Sequence, residues 1–132
     1  MPGMARPTAV HHVAIKVRDL ERAERFFGQT LGLPVLRRWP APDGVGERSL
    51  WLDLGAGAFL ALERTSDQGE SVGSEGPGLH LLALRIEPAE RQAWLDRLAE
   101  AGAAPYNQTA FTIYCKDPEG NRIGLSHWPE PA

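Results

Sequence analysis

Residues 12–35, with the sequence HVAIKVRDLERAERFFGQTLGLPV, predict a strand followed by an amphipathic helix. From Val13 to Val17 every second residue is apolar, and this alternation is typical of a strand with one buried face. Asp19 offers a side-chain oxygen that can cap a helix, and apolar residues after it recur at spacings of three and four. Gly32 ends the helix because glycine accepts the left-handed conformation found just beyond many helices.

A second stretch, residues 80–106, repeats this pattern with the sequence HLLALRIEPAERQAWLDRLAEAGAAPY. It also begins with a histidine and continues with an aliphatic strand, a helix and a closing glycine, Gly102. Pro88 lies where the first turn of a helix tolerates proline. This self-similarity predicts an internal repeat of a strand-helix-strand-strand-strand unit.

Short strands separated by turn residues complete both halves. Asp117-Pro118-Glu119-Gly120 predicts a tight hairpin, because proline suits a φ near −65° and glycine suits a positive φ. The polar, glycine-rich segment 65–77 predicts a connector between a first module at residues 8–64 and a second module at residues 78–128. The predicted strands are residues 8–17, 35–39, 48–54 and 58–64 in the first half, and residues 78–86, 104–106, 110–115 and 121–127 in the second half.

Length and composition favour one domain over residues 1–132 that buries a core without disulfides. The chain has 14 Lys and Arg against 17 Asp and Glu, and a net charge of −3 argues against a nucleic-acid partner. The longest run of apolar residues and glycine, residues 54–62, is too short to cross a membrane. The single cysteine, Cys115, and an N-terminus without an apolar signal segment indicate a cytoplasmic protein.

The sequence resembles the vicinal oxygen chelate superfamily, which includes glyoxalases, extradiol dioxygenases and the bleomycin and fosfomycin resistance proteins. The resemblance covers residues 8–128, and its markers are the stretch at residues 12–35 and DPEGNRIGL at residues 117–125. It implies a single glyoxalase-like domain with an α+β fold, in which two βαβββ modules pair their sheets into an incomplete barrel, with the helices outside. Family members close the cavity within one chain or between two chains, and the resemblance favours a homodimer.

The resemblance also implies a divalent metal ion in that cavity. The positions matching the family's ligands are His12, Glu63 and His80, and Gly124 stands where the fourth ligand is normally a glutamate. Two imidazoles and one carboxylate suit zinc, nickel, iron or manganese and leave positions open for water or a substrate. We expect three protein ligands plus water. In an inter-subunit site, His12 and Glu63 come from one chain and His80 comes from the other.

Strand alternation supports two of these three positions. His12 and Glu63 lie opposite the aliphatic residues of their strands, so both are expected to face the cavity. Alternation does not orient His80, because its strand is apolar on both faces, and only its equivalence with His12 does. In the alternative interpretation, the histidines are structural and Glu63 is a solvated strand end. His11 and His127 are predicted to be structural, with His11 on the packing face.

The same alternation predicts further residues in the wall of the cavity. Trp51, Phe59, Tyr114 and Ser126 are expected to line a substrate pocket with aromatic surface and hydroxyl groups. Ordinary packing inside the barrel is the alternative for the aromatic residues. Cys115 falls on the packing face, which predicts a buried, inert thiol.

These features favour a small-molecule enzyme in which a bound metal polarises a substrate oxygen, with lyase, isomerase or dioxygenase chemistry. Gly124 argues against lactoylglutathione lyase activity, because in glyoxalase-type relatives the glutamate at that position helps hold the metal and is implicated in proton transfer. The alternative is a metal-free protein that sequesters a drug or metabolite in the same cavity, as bleomycin resistance proteins do. The sequence does not identify a catalytic base.

Overall fold

A computed structural model describes residues 3–69 and 76–132 of the chain. Its strands and helices form two successive βαβββ units, so the α+β class is confirmed. The first unit contains β1 (His12–Val17), α1 (Leu20–Glu24) with a π-helical continuation (Arg25–Thr30), β2 (Val35–Pro40), β3 (Glu47–Gly55) and β4 (Ala58–Arg64). The second contains β5 (Leu82–Arg85), a 3-10 turn (Pro88–Glu90), α2 (Arg91–Glu100), β6 (Asn107–Gln108), β7 (Thr112–Lys116) and β8 (Arg122–Ser126).

Each unit forms a four-stranded mixed sheet, and neither sheet closes into a barrel. The strand orders are β1-β4-β3-β2 and β5-β8-β7-β6, with the first and last strand of each unit parallel neighbours. Apolar side chains from both sheets and both helices meet in one continuous core, which includes Phe27, Leu60, Leu98, Ile113 and Leu125. None of the helices in the described ranges is long and apolar enough to cross a membrane.

The start and the end of the first helix follow the sequence pattern. The Asp19 carboxylate accepts a hydrogen bond from the backbone N–H of Arg22 at 3.0 Å, which confirms it as the N-cap. Beyond Glu24 the helix widens into its π-helical continuation, and the Leu31 N–H donates to the Phe26 carbonyl at 2.8 Å. Gly32 then has a φ of 77°, the left-handed conformation expected after a helix.

Three predicted strands differ from the structure. The predicted strand at residues 104–106 is wrong, because β6 lies at Asn107–Gln108, and Pro105 has no N–H to donate to a ladder. Residues 78–81 precede β5, so His80 lies outside the regular strand. Residues 8–11 likewise precede β1, and His11 therefore escapes the strand alternation. Within the predicted connector, residues 70–75 lie outside the described part of the chain.

The DPEG hairpin joins the two modules. Its Glu119 carboxylate accepts hydrogen bonds from the backbone N–H and the guanidinium of Arg18, directly after β1. The Asp117 carboxylate orders the turn itself, because it accepts from the backbone N–H groups of Glu119 and Asn121 at 2.9 and 2.7 Å and from the Asn121 amide at 2.8 Å. Burial raises the pKa of Asp117, while these donors oppose that rise.

Replacing Asp117 by alanine should lower the free energy of unfolding by about 2 to 4 kcal/mol, because three partly buried donors lose their buried acceptor. Urea denaturation at pH 7 measures the loss. Asp43→Ala is the matched control, since the Asp43 carboxylate accepts from one exposed backbone N–H, that of Val45, at 2.9 Å. We expect a loss below about 1 kcal/mol for the control. Equal losses in the two variants would contradict this account of the hairpin.

A pH-dependent contact ties the first helix to β2. The Arg38 guanidinium donates to both oxygens of Glu24, at 2.9 and 2.6 Å, and holds the pKa of Glu24 below its usual value of 4.5. Because the folded pKa is the lower one, the contact stabilises the fold above the unfolded pKa. That stability is lost as the pH falls through the folded pKa.

Glu24→Gln should therefore reduce the free energy of unfolding at pH 7 by less than about 1 kcal/mol, the range of exposed ion pairs. The difference from the natural protein should shrink as the pH is lowered from 6 to 3, as followed by urea denaturation at each pH. Glu100→Gln on the exposed face of α2 serves as the control. A difference that grows on acidification would be inconsistent with the lowered pKa.

Candidate functional site

The open face of the first sheet carries four rings side by side, one from each strand. His12 on β1 stacks on Phe59 of β4 with centroids 4.8 Å apart and planes 8° apart. Phe59 stacks on Trp51 of β3 at 4.4 Å, and Trp51 meets the edge of Trp39 of β2 at 5.2 Å. We call these four residues the ring row. With neighbouring strands about 4.8 Å apart, the row spans about 14 Å.

Each end of the ring row carries a polar group. The Arg37 guanidinium carbon lies 3.8 Å from the centroid of the Trp39 ring, a cation–π contact. At the other end, Nδ1 of the exposed His12 lies 2.9 Å from Nδ1 of His11, so one imidazole donates to the other. The prediction that His11 lies on the packing face is wrong. It is exposed and meets the edge of Phe59 at 5.6 Å, because it precedes the strand.

Sequence alternation found Trp51 and Phe59 but missed Trp39 and Arg37. A register shift between Val35 and Arg37 interrupts the pairing of β2 with β3, so simple alternation along β2 does not hold. The clustering of tryptophans near residues 39 and 51 is the signal in the sequence that points to this face.

Two buried polar atoms have no hydrogen-bond partner in the described residues: Nε1 of Trp39, in the ring row, and Oγ of Ser49, on the neighbouring strand. Ser49 pairs directly with Trp39 on one side and with Glu63 on the other. An unpaired buried polar atom costs about 1 to 3 kcal/mol, so stability alone does not account for the hydroxyl at position 49.

The remaining predicted pocket residues, Tyr114 and Ser126, lie on the second sheet. Tyr114 is half-buried on β7, directly opposite Gly124 of β8. The Ser126 hydroxyl accepts a hydrogen bond from the Thr112 hydroxyl at 2.9 Å. Within one chain, the predicted pocket wall is therefore divided between two separate sheets.

The structure places His12 and Glu63 on the same face of the first sheet but not near each other. His12 pairs with Phe59, whereas Glu63 lies four residues further along β4 and pairs with Lys16. Four residues of strand span about 13 Å, and strand side chains stand roughly perpendicular to the sheet. Metal–ligand bonds of about 2.0 to 2.2 Å do not bridge that separation.

The third ligand position is engaged by another contact, and the fourth, Gly124, has no side-chain ligand atom. Nδ1 of His80 lies 2.8 Å from the Arg122 guanidinium, which donates to it and so uses the lone pair of that nitrogen. A Cβ at the buried Gly124 would meet carbon atoms of Leu81, Ala83 and Thr112, each at 3.4 Å. The divalent metal implied by the family resemblance therefore does not fit these four positions as they are arranged here.

Among residues 3–69 and 76–132, no group of three or more His, Cys, Asp or Glu side chains is arranged to hold a metal ion.

Two reactive types of side chain, one histidine and one cysteine, lie in the core. His127 is fully buried, with one ring nitrogen 2.9 Å from the Arg91 guanidinium and the other against the Glu130 carbonyl, as a structural histidine requires. Burial, with a smaller effect of Asp117, raises the pKa of Cys115 to about 11, so its thiol is unreactive at neutral pH.

A cavity of about 780 Å³ lies beside the edge strand β1. Residues of β1, of the segment before β5 and of the DPEG hairpin line it, so both modules contribute. None of the four ring-row residues belongs to its wall.

The family follows from the sequence over most of its length. Residues 9–125 match the model of the Glyoxalase/Bleomycin resistance protein/Dioxygenase superfamily. The chain belongs to this superfamily. The resemblance to the vicinal oxygen chelate proteins is thereby confirmed, and no curated protein matches the chain closely enough to narrow the activity.

Solved structures share the superfamily fold at low sequence identity. A glyoxalase/dioxygenase from Nostoc punctiforme is 21% identical with a TM-score of 0.78, covering 98% of this chain and 99% of that one. Lactoylglutathione lyase from Agrobacterium tumefaciens is 18% identical with a TM-score of 0.70, covering 96% and 100%. A mutant of the fosfomycin resistance protein FosX from Listeria monocytogenes, complexed with Mn(II), is 16% identical with a TM-score of 0.71, covering 91% and 92%. Such identities show the fold alone.

Ser49→Ala should raise the free energy of unfolding by about 1 kcal/mol, because it removes a buried hydroxyl that has no partner among the described residues. Thr112→Val is the matched control, since it removes a hydroxyl that donates to Ser126 at 2.9 Å, and it should lower the free energy by about 1 kcal/mol. Urea denaturation of both variants gives the comparison. A loss of stability in Ser49→Ala as large as in the control would show that the Ser49 hydroxyl is paired.

Proposed function

We propose that this protein is a homodimeric member of the superfamily that binds a planar, largely apolar small molecule on the ring row. The proposal rests on one observation: four rings contact one another in an unbroken row across the open face of the first sheet, from His12 to Trp39. This corresponds to the sequestering alternative, the mode of the bleomycin resistance branch.

Aromatic contacts favour such a ligand. Phe59, Trp51 and Trp39 are only half-buried, so part of each ring remains open to a bound molecule. Aromatic pairs in edge-to-face or offset arrangements contribute about 0.5 to 1.5 kcal/mol each beyond the burial of their surface. A planar ligand that meets two or three rings thus gains affinity without a strong polar contact.

The ends of the row supply orientation. The Arg37 guanidinium at one end donates hydrogen bonds to a carbonyl or other acceptor on the ligand. The exposed His12 at the other end presents an imidazole face on which a planar group can stack. A polar substituent at either edge of the ligand therefore suits the site, in line with the few polar groups that orient ligands in apolar pockets.

A second copy of the chain completes the pocket in this proposal. The Trp51 and Phe59 surface lies on one sheet, and Tyr114 and Ser126 lie on the other. A partner that brings its second sheet over the ring row joins the two halves of the predicted pocket wall. We place the dimer in the cytoplasm, consistent with the one buried, free cysteine, Cys115.

Metal-assisted lyase, isomerase or dioxygenase chemistry is the competing outcome. It requires His12, Glu63 and His80 to converge, whereas β-sheet register separates the first two by about 13 Å along the strands. That separation lies within one chain, so dimerisation does not remove it. We therefore derive no step through a metal.

The neutral planar probe N-phenyl-1-naphthylamine tests the ring row by fluorescence titration. We expect binding in the micromolar range and at least tenfold weaker binding by Trp51→Ala. Trp94→Ala is the matched control, because Trp94 lies on α2 against Arg97, away from the row, and should retain the affinity. Circular dichroism checks that both variants fold. Equal affinity in the two variants would reject the ring row as the site.

Metal content and thermal shifts with zinc, nickel, manganese and ferrous ions test the competing outcome. We expect no stabilisation that depends on His80, so His80→Ala should behave as the natural protein does with every ion. A ligand at a hundredfold excess over its Kd stabilises a protein by about 2.7 kcal/mol, which a thermal shift resolves. A stoichiometric ion that is lost in His80→Ala would replace our proposal with the metal-dependent enzyme.

A further inference from the structure

The 780 Å³ cavity beside β1 combines an apolar wall with a charged one. Its volume falls within the range of about 300 to 1,000 Å³ that is typical of small-molecule sites. It reaches around both faces of the edge strand, since it touches Ala14 and Lys16 as well as Val13 and Ile15. The apolar wall consists of Val13, Ile15, Leu79, Leu81 and Leu82.

The charged wall is positive, although the whole chain is negative. Among the described residues that line the cavity, four side chains are cationic and two are acidic, a balance of +2 in a protein with a net charge of −3. A cleft lined by one sign of charge raises the local concentration of ligands of the opposite sign. The cations are Lys16, Arg18, Lys116 and Arg122, and the acids are Asp67 and Glu119.

Both acidic side chains of this wall already accept hydrogen bonds from the protein. Glu119 accepts from the guanidinium and the backbone N–H of Arg18. The Asp67 carboxylate accepts from the backbone N–H of Gly69 at 2.8 Å. In the described part of the chain, the ion pairs within 4.0 Å are those of Arg18 and Arg38, so no carboxylate lies that close to Lys16, Lys116 or Arg122. The cross-strand neighbour of Lys16 is Glu63.

Arg122 is held at the cavity wall by a neighbouring side chain. Its guanidinium donates one hydrogen bond to His80 at 2.8 Å, and both side chains line the cavity. This contact fixes the planar group at the wall and leaves further N–H donors for an oxyanion. The Lys116 ammonium lies 5.3 Å from the centroid of the Tyr106 ring. This aromatic contact supplies no carboxylate to balance the charge of Lys116.

We propose that this cavity binds an amphiphilic oxyanion, with a carboxylate or phosphate head at Lys16, Lys116 and Arg122 and an apolar body against the leucine wall. This site is separate from the ring row and does not depend on the proposed function. It also gives His80 a role other than metal binding, since its imidazole holds Arg122 in place.

Isothermal titration calorimetry with decanoate and decyl phosphate tests the proposal on the whole chain. We expect Kd values below about 100 μM for one or both anions, because charge-assisted hydrogen bonds add to apolar burial. Decanol and decyltrimethylammonium have the same apolar body without the anionic head, and they should bind at least tenfold more weakly. Comparison of the two anions identifies the preferred head group.

Arg122→Gln and Lys16→Gln should each weaken decanoate binding at least tenfold. Arg25→Gln is the matched control, since it removes the same charge from a residue outside the cavity wall and should retain the affinity. Circular dichroism verifies the fold of each variant, and Lys116→Gln supplies a third test if Arg122→Gln does not fold.

The proposal would be overturned by no binding of either anion at millimolar concentration, by equal affinity for decanol, or by an equal loss in Arg25→Gln. Trp51→Ala separates this site from the ring row, because it should leave decanoate binding unchanged. Loss of decanoate binding in Trp51→Ala but not in Arg122→Gln would assign the anion to the ring row instead. If N-phenyl-1-naphthylamine does not bind the ring row, in contrast, the prediction for decanoate is unchanged.

Discussion

The parallel pairing of β1 with β4 is the constraint on which the candidate site depends. Its register sets His12 opposite Phe59, and this contact begins the ring row. The same register sets Lys16 opposite Glu63 and so keeps the two first-module metal candidates four positions apart. One pairing therefore both creates an aromatic surface and separates the two polar groups that the family resemblance suggested as metal ligands.

Much of the fold could be predicted from residue patterns in the sequence. The alternation from Val13 to Val17, the Asp19 cap and the glycine at position 32 each reflect a local physical preference that tertiary packing did not override. The duplication was accessible for the same reason, because both copies carry the same local signals. Family membership then follows from the chain as a whole rather than from any one residue.

Less of the candidate site could be predicted from the sequence. Alternation gives the face of the sheet on which a side chain lies, but not its position along the sheet. His12 and Glu63 share a face, yet only the pairing of two distant segments determines how far apart they lie. His80 precedes its strand, and its contact with Arg122 joins residues 42 positions apart. Trp39 and Arg37 were not predicted, because the pairing of β2 with β3 is irregular and simple alternation does not give their faces.

The packing around Gly124 has a consequence for substitutions at this position. Side-chain carbons of Leu81, Ala83 and Thr112 already surround the place of a Cβ there. A Cβ at this distance makes ordinary van der Waals contact with all three side chains, and the φ of Gly124 lies outside the left-handed region that favours glycine. The backbone at position 124 therefore accepts a larger residue. The limit on such a residue comes from what its side chain meets beyond Cβ.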